Sequence, residues 1–297
     1  MKQDTFRGFH PVVNLLYFVV MIGCSMFFMH PAFLAVSLFS ACTYAIYLNG
    51  KRAVRVGFLF LLPMIIITAA LNPLFNHQGV TILAYLPNGN PLTLESILFG
   101  VAAAVMLVTV MIWFSCFNKV MTSDKFVYLF GRIIPALSLI LAMSLRLVPR
   151  FRAQIRVISA AQRGIGRDVS NGNLLQKARH GLKILSILVT WALENAIDTA
   201  DSMKGRGYGL PGRTAFSIFR FDRRDGLATF HILICAAIVL IGAILGANQF
   251  HYFPIIQGQW GGISNIVVCF AYLVLGLFPI VVNVKEDFFW KHIVSNA

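Results

Sequence analysis

Six apolar segments punctuate the chain, at roughly 12–28, 32–48, 56–72, 97–117, 229–248 and 264–284. Each holds 17–21 residues. As helix that is about 25–31 Å at about 1.5 Å per residue, close to a hydrocarbon core of about 30 Å. The pattern predicts an all-α polytopic membrane protein with about six transmembrane helices. The first two segments are separated by only a few residues around His30-Pro31, which predicts a tight hairpin. Pro31 suits the start of a helix, where its missing N–H costs nothing.

The 119–228 interval departs from this pattern. It contains two apolar stretches, 126–148 and 182–193, and neither reads as a simple crossing. The first includes Arg132 and ends at Arg146 and Arg150. The second is short, is interrupted by Lys183, Ser186 and Thr190, and is followed by Glu194 and Asp198. Both are predicted to belong to long amphipathic helices in or just under the inner leaflet, with 126–148 dipping into it. Within 174–205, Leu174, Leu175, Ala178, Leu182, Leu185, Leu188, Val189, Ala192 and Ile197 fall near one helical stripe. The preceding helix is predicted over 136–163. Arg146, Arg150, Arg152, Arg156 and Arg163 gather toward its C-terminal half, where the helix dipole favours cations. Gly164 to Asn173, rich in Gly, Asn and Ser, reads as the turn joining the two helices into a V or an X.

Composition agrees with a bilayer as the solvent. Only 12% of residues are charged and 58% are hydrophobic, against about 25% charged in soluble domains. In a soluble chain a formal charge of +14 would suggest nucleic acid. Here the cytoplasmic enrichment of Lys and Arg accounts for it, and no nucleic-acid partner is expected. All 25 basic residues lie at the N-terminus (Lys2, Arg7), at Lys51, Arg52 and Arg55, between 119 and 224, or at Lys285 and Lys291. An even number of spans with both termini cytoplasmic puts every one of them on the same side. Each Arg stranded near a helix centre would cost about 2.5–3.5 kcal/mol. The chain then divides into 1–118 with four spans, a cytoplasmic coupling-helix region 119–228 holding 18 of the basic residues, and a transmembrane hairpin and tail 229–297. The N-terminal run lacks a small-x-small cleavage site and reads as a retained first span. The five cysteines fall in apolar runs without a CxxC pair, as reduced small hydrophobes.

Sites for chemistry are sparse. There is no GxxxxGK[ST] loop, no HExxH, no GxSxG, and no carboxylate pair within a span. The seven histidines show no i, i+4 pairing, so neither a metal nor another cofactor is expected. Two glycine-flanked arginines remain: Gln162-Arg163-Gly164 and Gly205-Arg206-Gly207, each closing one of the long helices. Taken singly, each reads as a helix end with a capping glycine and a dipole-compatible cation. As a pair on tandem amphipathic helices, each can also reach a partner's carboxylates.

These tips resemble those of the T component of energy-coupling factor (ECF) type ABC importers. Also similar are Asn72-Pro73-Leu74-Phe75-Asn76-His77-Gln78-Gly79, Leu92-Thr93-Leu94-Glu95-Ser96, Ser144-Leu145-Arg146-Leu147-Val148-Pro149, and Ser202-Met203-Lys204-Gly205-Arg206-Gly207-Tyr208-Gly209. The resemblance runs in order over about 8–285. It implies a scaffold without catalytic activity in a prokaryotic plasma membrane. Two cytosolic ABC ATPases would hydrolyse ATP, and a membrane S component would bind a vitamin or other micronutrient. Gln162, Arg163, Gly164, Gly205, Arg206 and Gly207 would dock the ATPases. The family commonly has Ala where Gln162 and Gly205 stand, and often Glu where Lys204 stands. From the residues alone, Asn72-Pro73 is either a plain helix exit or an external contact, and Pro149 ends or kinks its helix. A reading from another class, a membrane enzyme holding a lipid-linked or interfacial phosphate, rests only on the basic region and lacks a nucleophile or acid/base pair. A solitary channel suffers from the scarcity of polar residues in the spans.

Overall fold

A computed structural model describes residues 4–50, 55, 57–85, 89–133, 135–167, 173–208, 219–246, 248–258 and 262–295. Lys51, Arg52, the 168–172 part of the turn, Gly209 and Arg213 lie outside the described residues. Among the described residues the chain is all-α apart from two small antiparallel ribbons. Its helices are α1 (Pro11–Phe27), α2 (Pro31–Asn49), α3 (Leu62–Phe75), α4 (Leu94–Val120), α5 (Ser123–Ile133), α6 (Pro135–Gly164), α7 (Leu174–Gly205), α8 (Arg223–Ile244) and α9 (Ile263–Ser295). A π-helical turn, Gly57–Leu61, precedes α3. The ribbons pair β1 (Ile82–Tyr85) with β2 (Pro91–Thr93), and β3 (Phe250–His251) with β4 (Gln257–Gly258).

The described residues of the six apolar segments fall on helix nearly throughout, with 229–248 running a few residues past Ile244, where α8 ends. α2, α4, α8 and the Ile263–Phe289 part of α9 are long and apolar enough to cross a membrane; α1 and α3 are shorter apolar helices. The hairpin at His30-Pro31 forms as expected. Pro31 opens α2, and the His30 side chain caps it by accepting from the Ala32 N–H at 3.2 Å. His10-Pro11 repeats the device at α1, with the Val12 N–H donating to His10 at 3.3 Å.

Of the stretch 126–148, residues 126–133 lie on α5 and 135–148 on α6, with residue 134 outside the described residues. α6 covers the helix predicted over 136–163, and Pro149 lies inside it.

The residues form two compact units, Met1–Thr122 with Phe219–Ala297, and Ser123–Ile218. The first is packed around aromatic side chains. Phe6, Tyr17, Phe18, Tyr44 and Trp113 are fully buried, and Phe6 meets Tyr17 edge-on at 5.2 Å and Phe278 at 6.1 Å. Between membrane helices there is little hydrophobic drive, so close packing and internal hydrogen bonds must hold them. Both are present. Ser25 and Ser37 share a hydrogen bond of 2.7 Å, Tyr272 joins Ser25 at 3.1 Å, and Trp113 Nε1 donates to Ser37 at 3.2 Å. Gly276 faces Ser40 with no room for a Cβ.

A polar belt closes one end of this unit. Asn283 accepts from the Thr5 N–H at 2.7 Å and donates to Asp4 at 2.6 Å, while Tyr44 donates to Asp4 at 3.2 Å. Tyr47 donates to Asp287 at 3.3 Å, Lys119 donates to Asn49 at 2.7 Å, and Asp225 accepts from the His10 N–H at 3.0 Å. Arg7, Lys119, Arg224 and Lys285 belong to this end. The opposite end, where α1 turns into α2, α3 into α4 and α8 into α9, carries no Lys or Arg.

Candidate functional site

The second unit carries both arginine tips. Its helices α6 and α7 meet at Trp191: Phe151 packs edge-on against it at 5.9 Å, and Arg150 lies over the same indole at 5.5 Å. Ile158 on α6 and Ile184 on α7 are buried. Ile184 and Trp191 are seven apart and share a helix face. Most of the leucine stripe is exposed: Leu174, Leu175, Leu182, Leu185, Val189 and Ile197 are uncovered, Leu188 and Ala192 are half-buried, and Ile184 beside the stripe is buried.

The two tips close different helices, Arg163 at the end of α6 and Arg206 at the end of α7. Both arginines are exposed.

The helix ends are built alike but set in different register. At the first, the Arg167 N–H donates to the Gln162 carbonyl at 2.9 Å and the Gly166 N–H to the Arg163 carbonyl at 3.0 Å, with Gly166 at φ +77. This is a Schellman end, which satisfies two otherwise orphaned carbonyls and needs a left-handed residue that glycine supplies without strain. At the second, the Tyr208 N–H donates to the Met203 carbonyl at 3.1 Å and the Gly207 N–H to the Lys204 carbonyl at 3.0 Å, with Gly207 at φ +75. The glycine that stops α6 is therefore Gly166, and Gly164 still lies within the helix. Arg163 sits in the last helical turn, whereas Arg206 is itself the C-cap, at φ −88 and ψ 6.

A Cβ at Gly164 or Gly205 would meet nothing within 4 Å, so both tips are open beside their arginine. Gln162 is partly buried, and its side-chain Oε1 finds no hydrogen-bond partner among the described residues. Lys204 makes an exposed i, i+3 contact with Asp201 at 3.7 Å, the kind of pair worth about 0–1 kcal/mol.

The other motifs singled out in the sequence converge in the first unit. Asn72 Nδ2 donates to the Ser96 carbonyl at 2.7 Å, Ser96 Oγ to the Asn76 carbonyl at 2.6 Å, and Thr93 Oγ1 to the Gln78 carbonyl at 2.8 Å. Thr93 also caps α4, and Glu95, only 2% exposed, accepts from the Thr81 N–H at 3.1 Å and the Thr81 hydroxyl at 2.8 Å. The helix dipole at the start of α4 favours that carboxylate. Asn72, Thr93, Glu95 and Ser96 thus spend their polar atoms tying the corner between α3 and α4. Among the described residues no group of three His, Cys, Asp or Glu could hold a metal ion, and all five cysteines are free.

No family model matches the chain. It is similar to curated proteins described as energy-coupling factor transporter transmembrane protein EcfT. Identity is 34% over 106 residues with that of Lactococcus lactis subsp. cremoris, 31% over 106 with that of Lactobacillus helveticus, and 35% over 104 with that of Streptococcus thermophilus. Each match covers 35% of this chain and 38–40% of the relative. The matched stretch thus spans about two fifths of the length of these curated relatives.

Proposed function

We infer that this chain is the transmembrane T component of an ECF-type transporter, a multi-pass coupling subunit with no catalysis of its own. The observation that carries the reading is the pair of exposed arginines, Arg163 and Arg206, on capped ends of two long helices. The similarity to EcfT proteins supports it independently. In this reading each tip enters a groove on one of two cytosolic ABC ATPases. The guanidinium pairs with a carboxylate there, and Gln162 Oε1 accepts a hydrogen bond from the same partner. ATP-driven closure of the ATPases then moves the tips, and α6 and α7 carry the displacement to a membrane S component that holds a micronutrient. Both termini and the basic end of the first unit face the cytoplasm, as the placement of Lys and Arg requires.

Division of labour follows from rigidity. A helix of 32 residues such as α7 transmits displacement along its axis without absorbing it, and the Schellman ends keep the last turns from fraying. The test is co-purification. Losing one side of a buried charge pair costs about 2–5 kcal/mol, so Arg163→Ala and Arg206→Ala should each weaken ATPase retention. The double variant should lose both retention and ATP-driven uptake. Full retention of the ATPases by a folded double variant would sink the docking assignment.

A further inference from the structure

A groove of about 690 Å³ opens between α8 and the last turns of α9, within the first unit. That size falls in the range of about 300–1,000 Å³ typical of small-molecule clefts. Its base is apolar, formed by Phe9, Ala228, Phe278 and Val282. Its sides are Leu227, Phe288 and Phe289, which are 72%, 69% and 64% exposed. Arg224, Lys285 and Glu286 stand on the rim. A hydrocarbon-lined slot with cations at its mouth matches one kind of molecule that surrounds a membrane protein.

We propose that this groove holds one acyl chain of an anionic phospholipid, with the phosphate on Arg224 and Lys285. The assignment rests on the orientation proposed above, which puts these residues at the cytoplasmic leaflet. Charge complementarity at the rim decides the occupant. Arg224 lies 4.4 Å over the Phe9 ring and donates to Glu286 at 3.5 Å, which fixes the guanidinium while a fork of five N–H groups leaves donors for phosphate. The carboxylates nearby already have hydrogen-bond partners. Glu286 also accepts from the Thr5 hydroxyl at 3.1 Å, Asp225 accepts from the His10 and Asp222 N–H groups at 3.0 and 3.1 Å, and Asp287 accepts from Tyr47 at 3.3 Å. Asp222 caps α8. The rim therefore presents two cations and one already engaged carboxylate to the bilayer, and Arg223 adds a third exposed cation at the start of α8.

The test uses the full chain in nanodiscs of equal phosphatidylglycerol and phosphatidylcholine, extracted and read by native mass spectrometry. The wild type should keep one phosphatidylglycerol in preference to phosphatidylcholine. Each rim cation near a membrane surface is worth about fivefold in binding. The double substitution Arg224→Gln, Lys285→Gln should therefore lower the preference by about 25-fold. Leu227→Trp, at an exposed wall position where folding is not at stake, should block retention of either lipid. Equal retention of the two lipids by the wild type, or an unchanged preference in the double variant, overturns the proposal. So does a photo-crosslinker at position 227 that captures protein in place of lipid. ATPase co-purification with the Arg224, Lys285 variant separates this assignment from the functional reading. If the ATPases remain while lipid preference never existed, only the groove assignment fails.

Discussion

Arg163 and Arg206 look equivalent as letters in a sequence, each followed by glycine, but the backbone treats them differently. The residue that must turn left-handed is three beyond Arg163 and one beyond Arg206. Substituting Gly166 or Gly207 by Ala forces a Cβ into that conformation, at about 1–2 kcal/mol per site. Each change should fray its tip, seen as faster amide exchange over 160–167 or 201–208, and should reduce ATPase retention. Gly164→Ala has open space and helical geometry. It should leave exchange unchanged or slow it slightly, since alanine favours a helix interior by about 0.5–1 kcal/mol. The arginines themselves were legible because few other residues could carry chemistry. The choice of stop glycine was not, because Gly164-Ile165-Gly166 offers two candidates and only the carbonyl bonding of Gln162 and Arg163 distinguishes them.

At the scale of elements, the corner between α3 and α4 is held by side chains that the sequence presents as two unrelated motifs. Glu95→Gln keeps the shape but turns one of the two carboxylate oxygens facing the Thr81 N–H into a donor. It should lower the melting temperature in detergent and raise exchange over 76–93, with the tips untouched and ATPase retention preserved. An equal loss of retention would mean that the corner acts on docking. Helix positions were readable from apolar period and proline, which is why all six apolar segments and both long helices fall where expected. Partners of helices were not readable. The leucine stripe of α7 marks an amphipathic helix correctly, yet periodicity cannot say which apolar face meets a neighbour. Trp191 meets α6 because its indole reaches Phe151 and Arg150. In the same way, the spacing of Asn72 and Ser96 says nothing of their contact until α3 and α4 are set side by side.

For the molecule as a whole, the first unit has one end belted by polar side chains beside Arg7, Lys119, Arg224 and Lys285, and another without Lys or Arg. Cysteines introduced singly into a cysteine-free chain should report the difference. At Gln78, in a loop, or Gln257, in β4, both exposed at the second end, an impermeant maleimide should label intact cells. At Arg7 or Lys285 it should label only after permeabilisation. Labelling of position 285 from outside would overturn the orientation and with it the cytoplasmic placement of both termini.

The uncovered leucines of α7 have a consequence for the life of the chain in the cell. A copy not yet assembled displays Leu174, Leu175, Leu182, Leu185, Leu193 and Ile197 in a row, the kind of surface that holdases and membrane proteases seize. If the proposed assembly covers that row, abundance of the chain should follow the supply of the covering partner more than its own synthesis, and copies expressed alone should be cleared faster.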